Sequence, residues 1–396
     1  MKNIPITKPY IDSDDLEQIQ IPLKTGWPVQ GPFVAKFESE FAQFVKSPYA
    51  LATSSCTTAL HLALLALGIK KGDRVIAPSF TFIATQNSIE YCNAEVVFCD
   101  IELDTFNIKI SEIEKILSED KEKKIKAIIP VDLFGLSANL PAVIDLAKKF
   151  DLKTVEDAAC SFGGYIGEQH SGTFADFGCF SFHPRKAITT GEGGMVICKD
   201  EKLASLITQL RNHGATKTDL QRHKEKGGSL LPNFNSLGFN YRMTDIQGAF
   251  GVSQIKKADF ILDKRNTIAS QYMKSLQNFS WLKLPSIPEN YIHSFQSFVC
   301  LYLEGEDPSS LTYEKILRLN KLRNNYMEKL EERGIATRQG THAVHTTDYY
   351  KRRYNLQDKQ FINSFAADRL SITLPLYAEM SEEDFTYVID HLKRLH

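Results

Sequence analysis

The sequence predicts an α/β fold, with a mostly parallel central sheet flanked by helices and a smaller α+β region towards the C-terminal end. Three observations predict it. Short apolar runs alternate with segments of helical period over roughly the first 250 residues. Polar and glycine-containing motifs directly follow the apolar runs. They therefore fall at the carboxyl ends of the predicted strands, where parallel sheets bind their ligands. From about residue 256 the alternation gives way to long helical segments.

Four short apolar runs predict buried strands of the sheet: residues 74–77 (RVIA), 96–99 (VVFC), 127–131 (AIIPV) and 153–155 (KTV). Two segments that precede or separate these runs have the period of helices. In residues 57–67 (TTALHLALLAL) apolar side chains recur at i, i+3, i+4 and i+7, and residues 141–150 form the second segment. Strands and helices that alternate at this spacing favour parallel pairing.

The C-terminal part predicts a different arrangement. Its segments are three helices and one strand, at residues 261–277, 317–333, 381–395 and 297–303. The last helix begins with acidic residues and ends with basic ones, as the helix dipole favours. We therefore predict a large domain over residues 1–255 and a small one over 256–396. Residues 216–233 predict a long exposed loop, either a lid or a solvated insertion.

The composition excludes several classes of protein. The formal net charge is -1 over 396 residues, so no basic excess indicates nucleic acid or a membrane surface as partner. The 7 cysteines are scattered without a CxxC pair, which argues against a disulfide framework or a structural metal site and favours a reducing compartment. The N-terminal residues lack the apolar stretch of a signal peptide, so we expect a cytoplasmic protein.

One lysine stands in an unusual setting. In residues 177–195 (FGCFSFHPRKAITTGEGGM), Lys186 lies between an aromatic, strand-like run and a run of glycines. A lysine amine becomes a useful nucleophile when its pKa is lowered or when a carbonyl traps it as an imine. Taken alone, Lys186 is better explained as a solvated surface lysine, which is the usual environment of this residue.

Three further motifs point to the same kind of site. Asp157 ends the strand-like VED run, where a carboxylate can keep a pyridinium nitrogen protonated. The TSSCTT run that includes Cys56 and Thr57 opens a helix and offers hydroxyl and N–H groups to a phosphate. Phe82 follows a strand and can stack on a flat ring. Each of these residues taken alone is explained by a structural role, as a turn cap, a helix N-cap or a core aromatic. Together with Lys186 they supply the groups that a pyridoxal 5'-phosphate (PLP) site requires.

The chain resembles the PLP-dependent nucleotide-sugar aminotransferases of the DegT/DnrJ/StrS family, which have the fold-type I architecture. The resemblance runs nearly end to end. It covers TGWPVQGPFVAKFESEFAQF, SSCTTALHLALLALG, APSFTFIATQNSI, VFCDIELDTFNI, VEDAACSFGG, FSFHPRKAITTGEGGMV, GFNYRMTDIQGAFGVSQI and LSITLPLYAEMSEEDF. The FSF…K…TTGEGG block is its most specific part.

The resemblance implies a role for each matching residue. Lys186 forms the Schiff base with PLP and moves the proton between substrate and cofactor carbons, and Asp157 holds the pyridine nitrogen. Ser181, Thr57 and the backbone at Cys56 bind the phosphate, and Phe82 stacks on the ring. The remaining implied positions are Asn240 at the phosphate of the neighbouring subunit's cofactor, Arg242 at that interface or the substrate, and His345 on the substrate side.

The sequence departs from the family pattern at three positions. Cys56 stands where glycine is common, which leaves the backbone N–H for the phosphate. Cys160 stands where a glutamine commonly contacts the ring hydroxyl, and sulfur is a poor hydrogen-bond partner. Asp132 stands where histidine is frequent. The GEGGMV run at 191–196 does not predict a dinucleotide site, because it leads into a strand and lacks the third glycine.

The resemblance implies a transaminase that uses PLP and its amine form. L-Glutamate is the expected donor and a keto group of a nucleotide-linked deoxysugar the expected acceptor, in surface-polysaccharide or glycoconjugate biosynthesis. A homodimer with shared sites is expected. The alternatives are amination of a keto-sugar without a nucleotide, a dehydratase that uses the amine form of the cofactor, and a PLP-binding regulator without turnover. The second is disfavoured because such dehydratases replace the lysine with histidine.

Overall fold

A computed structural model describes residues 2–224 and 231–396 of the chain. Within these residues the helices begin with α1 (Ser13–Thr25), α2 (Pro32–Val45), α3 (Cys56–Ala66), α4 (Ala84–Tyr91), α5 (Ile110–Glu119), α6 (Leu140–Phe150), α7 (Glu201–Leu210) and α8 (Asp219–Lys224). They continue with α9 (Asp245–Lys256), α10 (Ala258–Leu276), α11 (Tyr313–Glu331), α12 (Asp348–Tyr354), α13 (Ile362–Leu370) and α14 (Glu382–Leu395).

The strands of the first 200 residues are β1 (Tyr49–Thr53), β2 (Arg74–Pro78), β3 (Phe80–Thr81), β4 (Glu95–Cys99), β5 (Ile125–Ile128), β6 (Lys153–Asp157), β7 (Tyr165–Ile166), β8 (Gln169–His170), β9 (Phe177–Ser181) and β10 (Gly194–Cys198). The later strands are β11 (Leu282–Lys283), β12 (Tyr291–Ile292), β13 (Phe298–Tyr302), β14 (His342–Ala343) and β15 (Ser371–Leu374).

The central sheet has seven strands in the order β1-β10-β9-β6-β5-β2-β4. The pairs β2–β4, β2–β5, β5–β6 and β6–β9 are parallel, and β10 runs antiparallel to both β1 and β9. Its strands are buried on both faces, as the apolar runs predict for a parallel sheet covered by helices. The predicted α/β fold with a mostly parallel central sheet is confirmed.

The predicted elements lie within a few residues of the observed ones. Each of the four predicted strands overlaps an observed strand, and the helix predicted at 57–67 is α3. That helix is buried on more than one face: Leu60, Leu62 and Leu64 are all nearly inaccessible to solvent. It begins with a capping box in which the Ser55 side chain accepts from Thr58 N and the Thr58 side chain accepts from Ser55 N.

The C-terminal part contains a three-stranded antiparallel sheet in the order β11-β13-β15. Its apolar cluster includes one residue from the opposite end of the chain, Ile4. The Ile4 N–H donates to Gly334 O at 2.7 Å, and Ala336 N donates to Ile4 O at 3.0 Å. The N-terminal residues therefore pack on the C-terminal part. The division into 1–255 and 256–396 stays a prediction, with its boundary at the end of α9.

The loop predicted at 216–233 is only partly described. It contains the short helix α8, and residues 225–230 of the prediction lie outside the described residues. No helix in the described part of the chain is long and apolar enough to cross a membrane.

Candidate active site

A cavity of about 770 Å³ lies at the carboxyl ends of β6 and β9 and at the first turn of α3. Its walls come from two parts of the chain. One wall consists of the beginning of α3, the ends of β6 and β9 and the turn after β9, and the other consists of residues 338–342 and 373–376. Six predicted cofactor residues and the predicted lysine line it together: Cys56, Thr57, Phe82, Asp157, Cys160, Ser181 and Lys186.

Lys186 follows β9 in a tight turn in which its N–H donates to His183 O at 2.8 Å. Its side-chain Nζ donates to Cys160 Sγ at 3.1 Å. Burial by itself lowers the pKa of Lys186, but its electrostatic interactions with Cys160, Cys56 and Asp157 and its hydrogen bond to Cys160 raise it by more, so the net shift is upward. The chain thus holds the amine as an ammonium beside a sulfur.

Asp157 is the last residue of β6 and is buried. Its Oδ2 accepts from Thr85 Oγ1 at 2.8 Å, and its Oδ1 accepts from Ala159 N at 3.2 Å. Burial raises the pKa of Asp157, while these two hydrogen bonds and the Lys186 charge oppose the rise. A buried carboxylate of this kind is stabilised by a protonated nitrogen placed beside it, as a pyridinium would be.

The beginning of α3 lines the same wall of the cavity, where the Cys56 thiol lies 4.0 Å from Asp157 Oδ1. The first N–H groups of a helix have no acceptor within the helix, and they favour a bound anion. A Cβ on Gly194 would come within 2.6 Å of Cys56 N and 2.4 Å of the Ser55 carbonyl carbon, so only glycine lets β10 pass this close to the helix. Ser181 pairs with Gly194 in the antiparallel register and brings its hydroxyl to the same place. This arrangement fits a phosphate group.

Two phenyl rings line the cavity: Phe82, which is 63% exposed, and Phe134, which is buried. The exposed face of Phe82 is available for a flat ring to stack on. Cys160 occupies the wall beside Lys186. The residues at this cavity therefore offer a phosphate end, a ring face, a carboxylate and an amine, which together fit PLP.

Three predicted residues are not brought into this cavity. Asn240 is exposed and forms an isolated bridge with Asn212, and Arg242 donates to Asn212 Oδ1 at 2.7 Å. His345 is fully buried. Its Nδ1 is hydrogen-bonded to Ser79 Oγ at 2.5 Å and its Nε2 to Asp358 O at 3.2 Å. His342, three residues earlier, lines the cavity, whereas the substrate-side role of His345 stays a prediction.

Sequence reasoning missed several polar residues that line or support the cavity: Thr85, Arg185, Arg338 and His342. Thr85 lies in the FTFIAT run and Arg185 is next to Lys186, so proximity to the motifs was an available signal. Arg338 and His342 belong to the C-terminal part, and only the tertiary fold brings them to Lys186.

Comparison with known proteins agrees with this geometry. The model of the DegT/DnrJ/EryC1/StrS aminotransferase family matches residues 9–393. The chain belongs to this family. GDP-perosamine synthase of Escherichia coli O157:H7 is 32% identical over 397 residues, covering 100% of this chain and 99% of the relative. Spore coat polysaccharide biosynthesis protein SpsC of Bacillus subtilis is 32% identical over 390 residues, covering 98% and 96%.

Solved structures show the same fold. A putative sugar aminotransferase of Streptococcus pneumoniae, in its PMP form, superposes with a TM-score of 0.88 at 26% identity, covering 100% of this chain and 98% of that one. The same protein is known in a PLP form. The DegT/DnrJ/EryC1/StrS family consists of PLP-dependent transaminases, and the chain is accordingly a PLP-dependent aminotransferase.

Proposed function

We propose that the protein transfers the amino group of L-glutamate to a keto group of a nucleotide-linked deoxysugar, for the synthesis of a surface polysaccharide or glycoconjugate. The observation that carries the proposal is a cavity of about 770 Å³ that holds Lys186 and Asp157 on one wall and Arg338 on the other. The space exceeds what a cofactor ring needs and leaves room for a sugar. The relatives named for perosamine and for spore-coat polysaccharide support the sugar acceptor.

Each residue of the cavity has a proposed task. When bound, PLP supplies an aldehyde and an electron-withdrawing ring. Lys186 holds the cofactor and, once freed, takes a proton from the donor carbon and returns one to the acceptor carbon. Asp157 keeps the proton on the ring nitrogen through a charge-assisted hydrogen bond. Thr57, Ser181 and the N–H groups at the beginning of α3 hold the phosphate.

Two arginines of the cavity are proposed to bind the amino donor. Arg185 and Arg338 both line it. Burial first and then the Arg185 charge lower the pKa of Arg338. No carboxylate in the described part of the chain forms an ion pair with either guanidinium. A pair of like charges without an ion-paired carboxylate favours an anionic ligand, and Arg338 is the proposed partner of the glutamate α-carboxylate because it lines the wall of the cavity across from Lys186.

A homodimer is proposed to complete the site. Asn240 and Arg242 do not line the cavity of their own chain: Asn240 is exposed and Arg242 is hydrogen-bonded to Asn212. In a dimer the exposed Asn240 would reach the phosphate of the partner's cofactor.

The test is an absorption spectrum of the purified protein before and after addition of L-glutamate, beside Lys186→Ala. The proposal expects a cofactor band that glutamate bleaches in the wild type, and a loosely held cofactor without that band in the variant. A panel of 3-keto and 4-keto nucleotide sugars is then supplied with glutamate and the products are analysed by mass spectrometry. An amino sugar from at least one acceptor is expected, and a bleached cofactor with no amino sugar from any acceptor would refute the sugar assignment.

A further inference from the structure

The turn that carries Lys186 is held together by its own hydrogen bonds. It connects β9 to β10, and near its base Thr190 N donates to Phe182 O at 3.0 Å. The Thr189 hydroxyl donates to the same Phe182 O at 2.8 Å and accepts from Gly191 N at 3.0 Å. The backbone that follows Lys186 is therefore tied back to the end of β9.

The backbone N–H of Thr189 is bonded to a side chain from another part of the fold. It donates to Oε1 of Gln254 at 3.2 Å, and Gln254 lies in the last turn of α9. Gln254 is 1% exposed and Thr189 is 2% exposed, so water does not compete for this bond. Gln254 does not line the cavity, and it reaches Lys186 through the turn, three residues away along the chain.

The nitrogen of the same amide is fixed by the N-terminal residues. Gln254 Nε2 donates to Tyr10 O at 2.9 Å and to both carboxylate oxygens of Asp15, each at 3.1 Å. The amide nitrogen thus meets acceptors and the amide oxygen meets a backbone donor, so one orientation of the amide satisfies every contact. Asp15 of α1 is 0% exposed and forms an ion pair with Lys257 at 2.8 Å. A residue 239 positions earlier in the chain therefore sets the orientation of Gln254.

We propose that Gln254 is a positioning residue for Lys186, because its amide oxygen fixes Thr189 and with it the turn from which the lysine amine reaches the cofactor. The inference rests on the proposed role of Lys186 as the residue that holds PLP, and it does not depend on the sugar acceptor. An amine that reacts at one cofactor atom must be held closely, since a displacement of about 1 Å can cost on the order of a hundredfold in rate.

Three variants separate this role from a contribution to folding alone. Gln254→Met fills a similar space without an acceptor for Thr189 N. Gln254→Glu keeps an oxygen for Thr189 N and loses the amide donor. Lys257→Gln leaves Gln254 intact and removes the ion pair with Asp15. All three should lower the Tm, because each deprives a buried polar group of a partner, but only Gln254→Met removes the bond to the turn.

The first measurement is the rate at which the cofactor absorption band appears when PLP is added to the cofactor-free protein, at a temperature well below every Tm. We expect this rate to be about tenfold lower in Gln254→Met and to stay near wild type in Gln254→Glu and Lys257→Gln. Should Gln254→Met not fold, Gln254→Asn takes its place, because its shorter side chain draws the oxygen away from Thr189 N.

The second measurement is the rate at which L-glutamate bleaches the cofactor band. At saturating glutamate this rate should fall in Gln254→Met alone, while the glutamate concentration that gives half the maximal rate stays unchanged. Rates that follow the Tm across the three variants, or an unchanged rate in the variant without the acceptor, would overturn the proposal. A cofactor band that persists in Lys186→Ala would instead refute the role assigned to Lys186, on which the inference rests.

Discussion

The side-chain nitrogen of Lys186 lies 3.1 Å from the sulfur of Cys160, in the wall of the cavity that fits PLP. The other six cysteines are buried, and burial raises the pKa of each of their thiols: Cys56, Cys92, Cys99, Cys179, Cys198 and Cys300. Cys160 is partly exposed and lies beside the Lys186 ammonium, so a reagent that enters the cavity can reach its sulfur.

Cofactor binding should protect Cys160 from alkylation. We expect iodoacetamide to modify Cys160 first in the cofactor-free enzyme, because an adjacent ammonium favours a reactive sulfur. PLP fills the same cavity and should slow that reaction several-fold. Peptide mass spectrometry with and without PLP measures both rates. Equal labelling in the two forms would mean that the cofactor does not lie against Cys160.

Loss of the Thr85 hydroxyl should weaken cofactor binding through Asp157. Thr85→Val removes the 2.8 Å bond to Asp157 Oδ2, which costs about 1 kcal/mol, or roughly a fivefold rise in the PLP dissociation constant. The bond also lowers the pKa of Asp157, so its loss should shift the pH dependence of PLP binding upward.

Thr81→Val is the matched control for that change. Thr81 Oγ1 lies 3.2 Å from Thr85 Oγ1, and Asp157 accepts its hydroxyl bond from Thr85 rather than from Thr81. Thr81 lines the cavity but does not contact the carboxylate, so the control should lose less affinity for PLP than Thr85→Val does. Equal losses in the two variants would attribute the effect to packing around β3 instead of to Asp157.

Replacement of Arg338 should affect the amino donor selectively. Arg338→Gln removes one guanidinium group from the cavity. We expect the KM for L-glutamate to rise by roughly ten- to a hundredfold, because a charge-assisted hydrogen bond contributes about 1.5–3 kcal/mol. The exposed Arg352 on α12 serves as the control in Arg352→Gln. Steady-state kinetics with both substrates varied measures the two KM values. A rise confined to the KM for the keto-sugar would show that Arg338 binds the acceptor instead of L-glutamate.

Local motifs predicted much of the site because they lie at the ends of the parallel strands. Asp157 ends β6, and Ser181 ends β9 five residues before Lys186, so pairing of these strands brings all three together without any long-range information. The apolar runs likewise predicted the sheet, since strands covered on both faces are apolar throughout.

Long-range packing explains what the sequence did not predict. Ile4 joins the C-terminal cluster through contacts more than 300 residues away in the chain, and Arg338 reaches the cavity because its backbone pairs with Thr373 of β15. The residues around His342 and His345 in the sequence do not indicate which of the two histidines lines the cavity and which is buried. Their different burial follows from β14 pairing with β3, which leaves His342 exposed and turns His345 inward.

The two histidines should respond oppositely to substitution. His345→Gln disturbs the buried bonds to Ser79 and Asp358, so the free energy of unfolding should fall by about 1–3 kcal/mol while the KM values stay near wild type. His342→Ala should leave the Tm almost unchanged and alter KM, because His342 lines the cavity. Thermal melts and kinetics on both proteins check this, and a KM effect of His345→Gln without loss of stability would restore it to the substrate side.

Acid should destabilise the fold through its buried histidines. Burial lowers the pKa of His61 and His170 to about 4 and that of His293 to about 3, from 6.5. Unfolding lets these side chains bind protons that the folded state excludes, so their contribution to stability is complete above pH 6.5 and is lost as pH falls towards 4.

The variant His61→Phe isolates one of these titrations. His61 packs its ring against Phe239 and Tyr91, so a phenyl ring retains the apolar contacts. Between pH 6.5 and 4 the wild type should lose about 1.4 kcal/mol more stability per pH unit than the variant, which is the free energy of one proton. Denaturant unfolding at about pH 7.5, 5.5 and 4.5 measures the difference. The two curves should run parallel above pH 6.5, and curves that stay parallel down to pH 4.5 would show that His61 is already protonated in the folded protein.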